Sequence, residues 1–144
     1  MNAGTSLIAH MRENAARLAA ACTACGACFQ ACPMVAETAT LAGADSRSVM
    51  AGIRDLLTDA PADHAPGYDA AVAFASACTR SGVCTPACPE QLDAAFMMRL
   101  ANLRVRGALG DPPLVRARHD PGWSARVKAF ARLTMSEQEQ AEWL

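Results

Sequence analysis

Apolar positions recur along this chain with a helical period. Between residues 6 and 20, Leu7, Ile8, Met11, Ala15 and Leu18 share one face while Arg12, Glu13 and Arg17 lie off it, the spacing of an amphipathic helix. The spacing returns over 46–59 with Val49, Met50, Ile53, Leu56 and Leu57, where Ser46 is the expected N-cap. Pro61, Pro66 and Gly67 in DAPADHAPG then break the pattern. An alanine-rich helix is expected over about 68–77. Another follows over 92–106, with Leu92, Phe96, Leu100 and Leu103 in a stripe; Gly107, Gly110 and the paired prolines of RGALGDPP close it. No stretch alternates apolar and polar residues as a half-buried strand does. The predicted fold class is all-α.

Two short segments interrupt the helical pattern, and they are copies of one another. CTACGACFQACP (22–33) and CTRSGVCTPACP (78–89) align at an offset of 56 residues with seven of twelve positions identical. Ser81 stands where the first copy has Cys25. A duplicated loop predicts two similar sites facing each other across one domain. All seven cysteines of the chain lie in these loops, whereas structural thiols scatter through a core. An odd number of cysteines, with an N-terminal stretch MNAGTSLIAHMRENAARLAAA that is neither a secretory signal nor a membrane span, does not suit a disulfide framework. The expected setting is soluble and cytoplasmic, with thiols free to bind metal.

Soft thiolates suit iron–sulfur clusters, zinc or copper(I). Cys-x2-Cys-x2-Cys-x3-Cys-Pro is the spacing of bacterial cubane loops, in which three cysteines hold one cluster and the fourth reaches the other. Three thiolates at successive two-residue gaps wrap three corners of a cube but crowd a single zinc, which usually draws its ligands as two separated pairs. Crossed ligation gives two expected sites. Cys22, Cys25, Cys28 and Cys88 form a complete set for a 4Fe–4S cluster. Cys32, Cys78 and Cys84 form a set of three, which suits a 3Fe–4S cluster, or a 4Fe–4S cluster with Ser81 or another oxygen ligand at the fourth iron. The three-iron form is favoured, because a serine hydroxyl must lose a far less acidic proton than a thiol does.

The two loops, over about residues 7–107, resemble the helical ferredoxin domain. That domain forms the C-terminal half of succinate dehydrogenase and fumarate reductase iron–sulfur subunits and recurs in the small iron–sulfur subunit of heterodisulfide reductase. The Cys78-x5-Cys84 gap resembles the succinate dehydrogenase version, whose loop lacking a cysteine carries the 3Fe–4S cluster, while the size resembles the small heterodisulfide reductase protein. The resemblance implies an iron–sulfur electron-transfer subunit of a multi-subunit oxidoreductase. Its implied partner is a subunit with cysteine-rich CCG motifs or a flavoprotein, and the chemistry on substrate would occur in that other chain. Ser81 departs from the two-cubane pattern of the heterodisulfide reductase type.

Composition refines this picture. The chain of 144 residues is 52% hydrophobic and 5% aromatic, with 33 alanines, so the core is expected to be built from small helix-forming residues. A net charge of −1 argues against a nucleic-acid binder, and no glycine-rich phosphate or dinucleotide loop is present. Charge is nevertheless uneven: residues 1–93 carry a balance of −4, 94–135 one of +6 and 136–144 one of −3. The expected organisation is a two-cluster ferredoxin domain over 1–107 and a basic docking arm over 108–144. The arm holds an amphipathic stretch (Val127, Phe130, Leu133) and a capping-box start at Ser136, and arginines between Arg99 and Arg132 offer a surface to an acidic partner. Phe29, Leu92, Phe96, Met97 and Met98 are expected to shield the clusters. His10, His64 and His119 are expected on the surface. The alternatives are a zinc-stapled interaction module, an iron–sulfur redox sensor, or catalysis at an open iron.

Overall fold

The computed structural model describes residues 3–58, 66–115 and 123–143. Among them there is no strand, and eight helices follow in order: α1 (Ala3–Ala21), α2 (Ala27–Ala31), α3 (Met34–Glu37), α4 (Ser46–Leu57), α5 (Tyr68–Ala77), α6 (Ala94–Val105), α7 (Trp123–Thr134) and α8 (Glu137–Trp143). Among the described residues, no helix is long and apolar enough to cross a membrane. The all-α expectation holds. His64, His119 and Pro61 lie outside the described residues, while His10 is exposed on α1.

The sequence repeat is a repeat of structure. Each half runs from a helix (α1 or α5) through a cysteine loop to a second helix (α4 or α6) of twelve residues. Both second helices start on an aspartate: Asp45 accepts from the Ser48 N–H at 2.8 Å, and Asp93 from the Phe96 N–H at 2.9 Å. This corrects the expected cap at Ser46, which is the first helical residue. The carboxylate one position earlier reaches the third N–H of the helix and satisfies one of its orphan donors. The second helix in turn caps the end of the first. Arg54 Nε donates to the Ala19 carbonyl at 3.0 Å, and Asn102 Nδ2 to the Ala75 carbonyl at 2.8 Å. Ala19 and Ala75 are 56 residues apart, but Arg54 and Asn102 only 48. The first half therefore carries eight more residues between its proline (Pro33, Pro89) and its aspartate. They hold α3.

Matching positions of the two halves meet in the core. Leu18 and Phe74, Val49 and Met97, and Met50 and Met98 are all buried, on one apolar cluster that also takes in Cys28 and Phe29. Phe29 meets Phe74 edge to face with ring centroids 5.0 Å apart, an arrangement worth about 0.5–1.5 kcal/mol beyond area burial. Small residues bring α4 and α5 together: a Cβ on Gly52 would stand 2.8 Å from both the Ala71 methyl and the Gly67 carbonyl oxygen.

The C-terminal helices fold back on this frame. Ala129 of α7 packs on Met34 and Ala77, and Arg132 pairs with Glu37 of α3. Helix α8 starts on the expected capping box, Ser136 N–H donating to Glu139 Oε2 at 2.8 Å and Glu139 N–H to Ser136 Oγ at 3.3 Å. Helix α7 turns its large apolar residues away from the domain. Alanines face the domain, while Val127, Phe130 and Leu133 are 42%, 67% and 74% exposed.

A valine at Gly52 must push α4 away from α5. Gly52→Val is expected to destabilise the fold by roughly 2–3 kcal/mol, read as a lower urea midpoint by circular dichroism with an unchanged m-value.

Candidate metal centres

The two cysteine loops share a backbone as well as a sequence. Ala24 and Arg80, one repeat apart, have φ of 54° and 63°, and Gly26 and Gly82 have φ of 85° and 79°. Glycine suits the second position of each loop, since the left-handed region costs it nothing; at Gly26 a Cβ would also collide with the Ser46 side chain. After the turn, the Cys32 N–H donates to the Phe29 carbonyl at 3.1 Å and the Cys88 N–H to the Thr85 carbonyl at 3.2 Å. Successive left-handed residues turn backbone N–H groups toward the concave side of a loop, where they meet negative charge. In the first loop the Ala24 N–H donates to Cys22 Sγ at 3.4 Å, the kind of bond that sets the electronics of a ligating sulfur.

Folding brings the predicted ligands into two groups drawn from both loops. Cys22, Cys25, Cys28 and Cys88 line one narrow cavity with Met50, Leu92, Ala94 and Met97. The wall is almost wholly apolar, and Glu90 stands at it as a carboxylate. Cys88, from the second loop, is thus set among three cysteines of the first. Cys28 is 7% exposed and its thiol donates to Met50 Sδ at 3.5 Å. Burial, reinforced by Cys22, Cys84 and Cys25, pushes the Cys28 thiol up from 9.0 to about 12.

Cys32, Cys78 and Cys84 make the other group. Burial raises Cys32, and the neighbouring Cys78 and Cys84 raise it further; burial and Cys78 likewise raise Cys84. Cys32 packs with Met34, Ala77 and Ala129, so α7 roofs this side. Ser81 is exposed, as is Cys25 at the matching position of the first loop. An open depression of about 390 Å³ reaches Cys78 from outside, lined by Thr79, Arg80, Asn102, Arg106, Arg126 and Phe130.

This chemistry fits iron–sulfur cores. Thiols converge from both loops, those of the first group on an apolar cavity, and backbone N–H groups are positioned at sulfur. A tetrahedral zinc instead draws thiolates within about 3.8 Å of one another, and among the described residues no group of three or more Cys, His, Asp or Glu is gathered to hold a single metal ion. Of the expected shielding residues, Leu92 and Met97 line the first cavity, Phe29 and Met98 are buried in the core, and Phe96 packs against it. Thr23, Met50, Glu90 and Ala94 also line the first cavity and were not singled out for that role from the sequence. Met50 carried only a helix-face signal, and Glu90 is brought to the cavity by the turn after Pro89.

A family model described as a 4Fe-4S dicluster domain matches residues 21–93, which span both loops and the helices between them. No curated protein and no solved structure matches the chain.

Exposure and burial set the order of thiol reactivity in the metal-free chain. At about pH 8, iodoacetamide is expected to modify Cys25 first and Cys28 last, as followed by mass spectrometry. The raised Cys28 thiol also has a signed consequence. The folded state holds its proton above 9.0, where the unfolded chain releases it, so the metal-free fold loses stability as pH climbs from 9.0 towards about 12. A falling urea midpoint over that window checks it.

Proposed function

This chain belongs to the 4Fe-4S dicluster domain family, and from that membership and the meeting of its two loops we propose that it is the electron-transfer subunit of a multi-subunit oxidoreductase. It relays single electrons between a redox partner and a catalytic subunit of the CCG or flavin type, in the cytoplasm. When bound, the clusters supply one-electron chemistry. The chain's own residues hold, bury and polarise them.

The observation that carries the reading is the position of Cys88 beside Cys22, Cys25 and Cys28 around one apolar cavity. We assign these four thiolates to a 4Fe–4S cluster. Cys32, Cys78 and Cys84 are assigned to the second cluster, in the 3Fe–4S form, since Ser81 replaces the fourth thiol with a hydroxyl that resists deprotonation. A 4Fe–4S core with Ser81 or another oxygen at its fourth iron is the alternative. The likeness of the loops to those of the small heterodisulfide reductase protein and of succinate dehydrogenase iron–sulfur subunits supports both the assignment and the kind of complex.

Anaerobically purified protein is expected to hold about seven irons per chain and to give an electron paramagnetic resonance signal when oxidised. Ser81→Cys should abolish that signal and add about one iron, while Cys88→Ser should remove the first cluster and leave the oxidised signal. An oxidised sample without signal, showing one only after reduction, assigns two four-iron cores and overturns the three-iron form. Stoichiometric zinc without iron overturns the whole reading.

A further inference from the structure

Helix α7 and the second cysteine group together leave one surface whose composition differs from the rest of the domain. Trp123, Val127 and Phe130 succeed one another at helical spacing along the outer face of α7 and are 64%, 42% and 67% exposed. An amphipathic helix usually turns such residues inward. Here α7 meets the domain through Ala125 and Ala129 instead, and its large apolar side chains are left open to solvent. Phe130 also forms part of the wall of the depression that reaches Cys78. Three guanidinium groups share that wall: Arg80, Arg106 and Arg126. Arg126 is held there by the Ser76 carbonyl and Arg106 by Asn102 Oδ1 at 3.3 Å, so their placement is built rather than incidental. An aromatic centre rimmed by arginines is the composition of a protein–protein hot spot.

The first cysteine group has no such arginine wall. Its cavity is lined by the four cysteines, Thr23, apolar side chains and one carboxylate, with no lysine or arginine. The basic character of the chain is concentrated over 94–135, at +6, while 1–93 carries −4. A partner that seats its carboxylates on the three arginines and an apolar side chain against Phe130 comes directly over Cys78.

We propose that this face is the docking surface for an acidic one-electron carrier protein, and that the Cys32–Cys78–Cys84 side is the port at which electrons cross. The proposal rests on the two-cluster reading and deepens it by naming the side and the charge of the partner. One electron leaves the reduced carrier and one is taken up by this chain's clusters, with no proton or group transferred.

The test is stopped-flow reduction of the full-length, cluster-loaded protein by a reduced acidic two-iron ferredoxin, after iron analysis and electron paramagnetic resonance have shown both clusters in place. The rate is expected to fall steeply as ionic strength rises from about 0.01 to 0.15 M. Phe130→Glu should slow the reaction at low salt by about tenfold or more, with cluster spectra unchanged. Phe130 is solvent-exposed, so its replacement leaves the core intact. Lys128→Gln alters net charge by the same single unit as Phe130→Glu, yet Lys128 lines a separate pocket beside Glu37 and Thr38; its rate should stay within about twofold of the parent. Equal slowing by Lys128→Gln and Phe130→Glu would reduce the effect to net charge and overturn the dock. So would an unchanged rate in Phe130→Glu, or a parent that sediments as a dimer and is split by Phe130→Glu, since a second copy would then cover the face. A protein that assembles no clusters fails at the iron analysis, which refutes the underlying reading before any rate is measured.

Discussion

A loop of three closely spaced cysteines can address only three corners of a cubane, and the fourth must come from elsewhere. Everything else in this structure is arranged around that shortage. The two loops lie 56 residues apart in sequence, yet Cys88 stands with Cys22, Cys25 and Cys28, and Cys32 is close to Cys78 and Cys84. Each loop hangs from the end of one helix and runs into another, so the helix packing determines whether the loops meet. The small residues between α4 and α5, the buried methionines of α4 and α6, and the two hydrogen bonds that end α1 and α5 serve that approach. Buried thiols are costly to ionise, as the upward shift of Cys28 shows. Metal therefore has to supply the charge that draws the protons off, and loading and final packing are coupled.

The surroundings of the two cysteine groups differ in lining and in access, although each has a carboxylate near it, Glu90 at the first and Asp93 beside Cys84 at the second. One is walled by Met50, Leu92 and Met97 with a carboxylate at Glu90. The other opens on Arg80, Arg106 and Arg126 beneath α7. Positive charge and solvent access stabilise the more reduced, more negative state of a cluster, while apolar burial with a carboxylate opposes it. The duplicated loops are thus placed in electrostatically unequal ends of one fold, before any difference between Cys25 and Ser81 is counted.

Much of this was legible in the sequence, for reasons that can be named. Thiol spacing is a direct record of chemistry, because loop ligands sit close in sequence; the crossed grouping of Cys32 and Cys88 could be read from the loop pattern alone. The longer helices announced themselves by composition and period: α1, α4 and α6 lie where the apolar period put them, and α5 where its run of alanines did. Short helices did not. Helices α2 and α3, of five and four residues, fall inside or next to the first cysteine loop and are too brief for any periodicity. The cap of α4 was misplaced by one residue because Ser46 and Asp45 are both good capping types, and only geometry shows which oxygen reaches Ser48. The outward turn of α7 was hidden for a different reason. A pattern of Val127, Phe130 and Leu133 tells that a helix is two-faced but not which face the domain takes, and alanines win where the backbone must come close to Met34 and Ala77.

The eight extra residues of the first half have an effect out of proportion to their number. They hold α3, which has no counterpart in the second half, and α3 is the shelf on which α7 rests, with Ala129 packed on Met34 and Arg132 paired to Glu37. The C-terminal helix therefore lies on one side of the repeat, and that short insertion gives a duplicated frame a head and a tail.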